Sequence, residues 1–395
     1  MTSITAQRLL TGHGAIEHPR VIVDSGGTIF AIEPDQHGMD DGTLTPAFFD
    51  IHVHGAAGHD VMEATPEALQ KIGVFLARHG VAHYLPTTVT APMDMLLRAL
   101  EGLANAIEQQ NSEQPIARAV GIHLEGPFLS HAKRGVHAVG DLQPAKVSIF
   151  QKLQRAARGH IRLMTVAPEL DEALELIEYA SAEGVQVSIG HSDATATQAR
   201  AAIVAGAVSC THTFNAMRKL DHREPGIAGV ALDSDELYAE LICDGIHVAP
   251  EFVRMWLAAK GEHRAILVTD GISATGMPDG NYRLGELEVT VEGNRCLLNS
   301  DLTRGVETLA GSVLTMDAAV ARLRRYTGVT LATAVRLATH NPAQMLGLDG
   351  LCSVAAGQPA NFNLFGPDGH LRQTYIGGRR VEAEKIDPAH FAGAL

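Results

Sequence analysis

The stretch PAFFDIHVHGAAGHDVMEATPEALQKIGVFLARHGVAHYLPTTV, residues 46–89, decides the architecture. It opens on a short apolar run, AFFDIHVHG (47–55), continues through an amphipathic segment, PEALQKIGVFLARHG, and returns to an apolar run, VAHYLPTTV (81–89). Strand, helix and strand in that order read as a parallel pair joined by a crossover helix. The same rhythm recurs downstream. Further strand candidates are AVGIHLEG (119–126), IRLMTVAPE (161–169), VQVSIGHS (185–192), AVSCTHTFNA (207–216), YAELICDGIHV (238–248) and AILVTDGIS (265–273), with helical patterns such as DEALELIEYASAEGV between them. Eight such units over roughly 225 residues predict an α/β protein with a (β/α)₈ TIM-like barrel rather than an open doubly wound sheet. No GxGxxG follows the first strand, which weakens a dinucleotide fold further.

Outside this stretch the rhythm is different. The first 46 residues carry short strand patterns, ITAQRLL, RVIVDSG and GTIFAIEP, broken by Gly, Pro and Asp. The tail is similar, with NFNLFGP, LRQTYIGG and RRVEAE. Helical patterns at MDAAVARLRRYTG and TLATAVRLATHNPAQMLG precede it. The simplest arrangement is a catalytic barrel over 47–351, inserted into a small β domain assembled from 1–46 and 352–395. The Gly-rich segment SATGMPDGNYRLG (273–285) reads equally as a mobile lid or as a surface hairpin loop.

Composition narrows the class. Hydrophobic residues make up 46% of the 395 and charged residues 19%, which excludes a disordered chain. Lys+Arg number 31 against 45 Asp+Glu, a net charge of −14 that argues against nucleic acid or an anionic membrane as partner. A small anion remains possible, since one Arg can hold a phosphate locally. The four cysteines, Cys210, Cys243, Cys296 and Cys352, form no CxxC pair and read as buried free thiols. The N-terminal MTSITAQRLLTGHG lacks the form of a signal peptide, and no apolar run reaches the ~18 residues of a membrane span. The expectation is a cytoplasmic protein.

The chain holds 20 histidines, and their positions matter more than their number. Barrel active sites lie at the C-terminal ends of the strands. There the first strand carries His52 and His54, two apart and so on one face. Glu125 ends the third strand, His191 the fifth, His212 the sixth, His247 the seventh and Asp270 the eighth. One such His is usually a satisfied polar residue; the convergence of the set predicts a divalent metal site. Imidazole and carboxylate without cysteine suit Zn²⁺, with Fe²⁺, Mn²⁺ or Co²⁺ as alternatives. Such a site performs hydrolysis with metal-activated water. Asp270 reads as the carboxylate that moves the proton or as a further metal ligand, and one group can do both.

The motifs FFDIHVHG, GIHLEGPFLS with a following GVH, IGHSDA, THTFNAM, REPGIAG, CDGIHV, LVTDGISATG, LAGS and THNPAQMLGL resemble, as an ordered set over most of the chain, the amidohydrolase superfamily. Within it the chain is similar to the N-acetylglucosamine-6-phosphate deacetylases. That resemblance implies a barrel of the metal-dependent hydrolase type with a small β-sandwich domain built from both termini. It implies that Glu125, His191 and His212 hold the principal ion, and that retention of His52 and His54 is compatible with a second one. One or two ions per subunit are therefore expected. It assigns Asp270 as proton shuttle and His137 as the group that polarises the acetamide carbonyl. Asn215, Ala216, Arg223 and His247 are expected on the phosphosugar substrate, with a phosphate contact donated across a homodimer interface. The implied reaction is deacetylation of N-acetyl-D-glucosamine 6-phosphate. Its rivals on the same scaffold are an N-acetylgalactosamine-6-phosphate deacetylase and a deacetylase of N-acylated amino acids. From other classes come a scaffold without catalysis and a sugar-phosphate sensor, both disfavoured by the complete set of ligand and shuttle positions. One departure stands out: the family tail usually carries Ala-Asp after a Gly, where this chain reads GQPANFNLF with Asn361.

Overall fold

The structure, a computed structural model, describes residues 1–12, 14–35, 40–111 and 114–382. Residues 383–395 of the expected tail unit lie outside the described residues. The parallel strands are β1 (Phe48–Val53), β2 (Val81–Thr88), β3 (Ile122–Glu125), β4 (Ile161–Val166), β5 (Gln186–Ile189), β6 (Ala207–Cys210), β7 (Tyr238–Ile242) and β8 (Ala265–Val268). Each pairs with the next in chain order. The ring closes just past the ends of β1 and β8. There Val53 bridges Gly271, and the His52 carbonyl accepts from the Asp270 N–H at 2.9 Å.

Runs such as AILV bury every residue because helices cover one face of the ring and packed side chains the other. Helix Pro66–Arg78 shows how sequence sets the outer layer. The Thr65 hydroxyl accepts from the Ala68 N–H at 3.1 Å, and Pro66 occupies the first position, where its missing N–H loses nothing. The helix then buries Leu69, Ile72 and Leu76 against the barrel.

The termini build a two-sheet unit. One sheet places Pro19–Val23 between Thr2–Thr5 and Ile29–Pro34, all antiparallel. The other runs Arg379–Arg380, Leu371–Ile376, Phe362–Phe365, Thr43–Pro46, Arg8–Thr11, Gly14–Glu17. Ile4, Val21 and Ile29 from the first sheet share a core with Leu9, Leu44 and Phe362 from the second. The segment ITAQRLL, read as one strand, is therefore two. The Ala6 N–H bonds Pro19 of the first sheet and the Gln7 N–H bonds Gly42 beside the second, so the chain changes sheets between them. Thr43–Pro46 pairs with Phe362–Phe365, so neither terminus can complete its sheet alone.

A third sheet corrects the reading of the middle as barrel alone. Gly280–Leu284, Leu287–Glu292 and Arg295–Leu298 form an antiparallel meander between β8 and the next long helix. Its core joins Leu284, Val289, Val291 and Cys296 to Ile272 and Ala310 beside the barrel mouth. Of the two readings of 273–285, the hairpin is nearer: 280–284 is its first strand. All four cysteines are buried and unbridged, and burial pushes each thiol up to about 12. Among the described residues no helix is long and apolar enough to cross a membrane.

Candidate active site

The strand period places Asp50, His52 and His54 on one face, pointing into the barrel, while Ile51 and Val53 face the helices. Glu125 is the last residue of β3. The others do not end strands, as the sequence suggested. His191, His212 and Asp270 each lie two residues beyond β5, β6 and β8, and His247 lies five beyond β7. His191, His212 and Asp270 have φ of 47°, 27° and 53°, in or beside the left-handed region. That conformation costs roughly 1–2 kcal/mol per residue, and it turns the side chains inward over the barrel mouth. Backbone bonds hold it: Ser130 N–H donates to the His191 carbonyl, Asn215 N–H to that of His212, and Ser312 N–H to that of Asp270.

Glu125 sits at the centre. Its Oε1 lies 3.3 Å from His52 Nε2, 3.3 Å from His191 Nε2 and 3.1 Å from His212 Nε2. Its Oε2 lies 3.2 Å from His54 Nε2 and 3.5 Å from His137 Nε2. Asp270 Oδ1 stands 3.2 Å from His54 Nε2 and 3.5 Å from His52 Nε2. Two sets of ligand atoms are close enough for one ion each: His52, His54 and Glu125, and Glu125, His191 and His212. Glu125 belongs to both.

The far sides of the rings show what each near side offers. His54 Nδ1 lies 3.1 Å from the Thr87 carbonyl and His191 Nδ1 3.1 Å from the Lys133 carbonyl. A carbonyl only accepts, so both Nδ1 atoms carry hydrogen, and Nε2 is the nitrogen that each ring can offer to a metal. His137 is the reverse. Its Nδ1 accepts the Thr90 N–H at 3.2 Å and lies 2.8 Å from the Thr90 hydroxyl, so Nε2 carries the hydrogen. It is a donor aimed at the same space. The donor set therefore fits a divalent cation bound by imidazole and carboxylate, with His137 left over to bond an oxygen.

Burial would lower the two imidazoles of the first strand, but the charges of Glu125 and Asp270 hold His52 well above the ordinary value and raise His54 to about 9, so a bound cation would take the place of their protons. Burial alone would push the Glu125 and Asp270 carboxyls up, but the surrounding imidazoles hold both well below the usual carboxylate range. Burial pushes His191 down to about 4, leaving it neutral. Asp50, beneath His52, is pushed up to about 7 by burial, and Thr269 Oγ1 donates to its Oδ2 at 2.5 Å.

A cavity of about 350 Å³ opens above the cluster. Of the residues expected on the substrate, His137, Asn215, Ala216 and His247 line it. Arg223 does not: it is exposed on the turn before helix Gly226–Asp233. His247 Nδ1 lies 2.6 Å from Asp244 Oδ2. Burial would lower the pKa of that imidazole, but the Asp244 hydrogen bond and charge raise it above the ordinary value. Sequence reading missed several lining residues, among them Leu284, Thr308 and Leu309, and the supporting Thr90, Asp50 and Glu240. The alternation in LEVTVE was the available signal for the sheet that brings Leu284 in. A larger cavity, about 670 Å³ between residues 58–63 and the third sheet, holds no His or Cys and so no part of the cluster.

Comparison with known proteins gives a consistent result. The amidohydrolase family profile matches residues 43–381. An N-acetylgalactosamine-6-phosphate deacetylase of Escherichia coli O157:H7 is 38% identical over 381 residues, covering 95% of this chain and 98% of that protein. An N-acetylglucosamine-6-phosphate deacetylase of Bacillus subtilis (strain 168) is 37% identical, covering 83% of this chain and 82% of that one. The crystal structure of N-acetyl-D-glucosamine-6-phosphate deacetylase from Mycobacterium smegmatis superposes with a TM-score of 0.89 at 32% identity, over 97% of this chain and 100% of that chain. A mutant of the M. smegmatis enzyme in complex with N-acetyl-D-glucosamine-6-phosphate gives the same TM-score over 96% of this chain.

Proposed function

The chain belongs to the amidohydrolase family, and we propose that it hydrolyses the acetamide of N-acetyl-D-glucosamine 6-phosphate to glucosamine 6-phosphate and acetate. The observation that carries this reading is the convergence, on one cavity, of two ligand sets sharing Glu125, the carboxylate of Asp270 and the Nε2–H of His137. When bound, a divalent cation such as Zn²⁺ polarises the carbonyl and lowers the pKa of water. Glu125, His191 and His212 would hold it, and His52 and His54 with Glu125 a second. His137 donates its Nε2–H to the acetamide oxygen as charge builds there. Asp270 takes a proton from the attacking water and delivers it to the departing nitrogen. The carbon–oxygen bond forms, the carbon–nitrogen bond breaks, and the amine leaves with that proton.

The phosphate falls to His247, Asn215 and Ala216. The raised pKa of His247 favours the cationic form that an anion needs. Arg223, exposed and off the cavity of its own subunit, fits delivery into the site of a partner in a homodimer, where its planar fork suits phosphate. A sugar phosphate is too charged to cross a bilayer unaided, which favours a cytoplasmic reaction. A second reading, the galactose epimer as substrate, is favoured by the 38% identity to the E. coli O157:H7 protein over nearly its whole length.

Acetate release from the 6-phosphates of N-acetylglucosamine and N-acetylgalactosamine, from the free sugars and from an N-acetyl amino acid separates these readings. The expected result is a preference for the phosphorylated glucose epimer, abolished by chelation and restored by Zn²⁺. An Arg223→Ala variant raises KM chiefly for phosphorylated sugars. A preference for the amino acid, or activity indifferent to chelation, overturns the assignment.

A further inference from the structure

Glu240, on β7, is fully buried in the barrel interior beneath the imidazole cluster. Its Oε1 accepts from the Ser188 hydroxyl at 3.3 Å and the Ser209 hydroxyl at 3.1 Å. Its Oε2 accepts the backbone N–H of His212 at 3.4 Å and stands 3.7 Å from His52 Nδ1. Among the described residues no Lys or Arg lies within ion-pair distance of it. Glu240 thus touches one member of each ligand set, His52 of the first and His212 of the second. It is also the acceptor facing the far side of His52. The Nδ1 atoms of His54 and His191 have carbonyls there; His52 Nδ1 has no hydrogen-bond partner within normal distance.

We propose that Glu240 is a positioning residue for the metal centre. It keeps His52 protonated on Nδ1, so that Nε2 turns its lone pair towards Glu125 and Asp270. Its charge strengthens cation binding by the His52, His54 and Glu125 set. Two physical needs converge here. A ligand imidazole requires an acceptor behind it to fix its tautomer and orientation. A buried carboxylate with only hydroxyl and amide donors requires positive charge nearby, which a cation held by His52, His54 and Glu125 would supply. The inference rests on the metal-dependent reading above and adds a two-ion requirement to it.

The test is titration of Zn²⁺ into the chelator-stripped full chain, followed by calorimetry and by elemental analysis after gel filtration. Wild type should bind two ions. Glu240→Gln keeps the size and the Ser188 and Ser209 hydrogen bonds while removing the charge. It should weaken the second ion by roughly 10–100-fold and leave the first within about threefold, the range seen when the group behind a ligand is lost. Unchanged affinities in a folded Glu240→Gln protein overturn the proposal, as does a wild type that saturates with one ion. Both outcomes leave the deacetylase reading standing. A wild type that binds no ion overturns the metal reading itself. Should Glu240→Gln fail to fold, ¹⁵N-histidine spectra of the Zn²⁺-loaded wild type decide, with His52 assigned by its loss in His52→Asn. A proton on His52 Nδ1 supports the proposal; coordination through Nδ1 overturns it.

Discussion

Asp270 shows how much depends on a single side chain and the backbone under it. Its N–H is tied to the His52 carbonyl and its own carbonyl to the Ser312 N–H, so the carboxylate is fixed from both sides of the residue. Changing it to Asn preserves the shape and removes the capacity to carry a proton. We expect Asp270→Asn to lower kcat by at least about 100-fold, the scale of general acid–base catalysis, with Zn²⁺ content and KM little changed. Steady-state kinetics with metal analysis decides this, and near-normal turnover rules Asp270 out as the shuttle. His52, His54, Glu125 and Asp270 were legible in the chain because strand ends on a barrel face one mouth. The sharp turns were not. Nothing in GHS or VTDG announces that His191 and Asp270 adopt left-handed backbone beyond their strands. That conformation is imposed by tertiary bonds from residues far away in sequence. The split between ligand and donor histidines came from the motif resemblance alone, because physically it is decided by whether a carbonyl or an N–H stands behind the ring.

Beyond the barrel strands and their following turns, the cavity wall is completed by 135–137, by 307–311 and, from the three-stranded sheet at 280–298, by Leu284. Leu284 forms part of the wall, and the turn after it is anchored by Asp60, whose Oδ2 accepts the Gly285 N–H at 2.8 Å. The same carboxylate caps the short turn Val61–Glu63 by accepting the Met62 N–H at 2.7 Å. Asp60→Ala should cost about 1 kcal/mol from the cap alone and loosen the sheet. The expected signature is a raised KM with kcat and metal content nearly unchanged, and faster amide exchange confined largely to 280–298. Equal losses in kcat and KM with uniform exchange would detach the sheet from substrate binding. This element was hard to foresee because its strands are short and follow directly on the barrel rhythm. Only LEVTVE alternates cleanly, and its partners must be found in space rather than in sequence.

The seam between the barrel and the terminal domain makes the stability of the whole molecule depend on pH. His83 on β2 lies there, its Nε2 3.2 Å from Asn361 Nδ2, while Asn361 Oδ1 accepts from the Gly377 N–H. Asn361, the departure from the family tail, thus supplies a donor to a neutral imidazole, which an ionised carboxylate cannot do. Burial, helped by the charge of Arg118, pushes His83 down to about 4. The unfolded chain protonates this imidazole first as pH falls, so its contribution is intact above about pH 6.5 and is lost towards pH 4. The full loss is about 3 kcal/mol at 1.36 kcal/mol per unit. Urea unfolding from pH 7 to pH 4 should show that slope and a flatter one in His83→Gln; parallel slopes would remove His83 as its source.

The pairing of Thr43–Pro46 with Phe362–Phe365 also has a consequence for how the protein is made. At about 5–20 residues per second, the ribosome delivers the second strand on the order of 15–60 s after the first. In that interval all eight barrel strands, and with them Glu125, His191 and His212, are synthesised. Thr43–Pro46 waits with one edge paired to Arg8–Thr11 and the other open, which is the kind of edge that recruits a neighbouring nascent chain. The last strands to leave the ribosome therefore seal what the first ones began. A message truncated before residue 362 carries every residue of the histidine–carboxylate cluster but lacks the strands that close its sandwich.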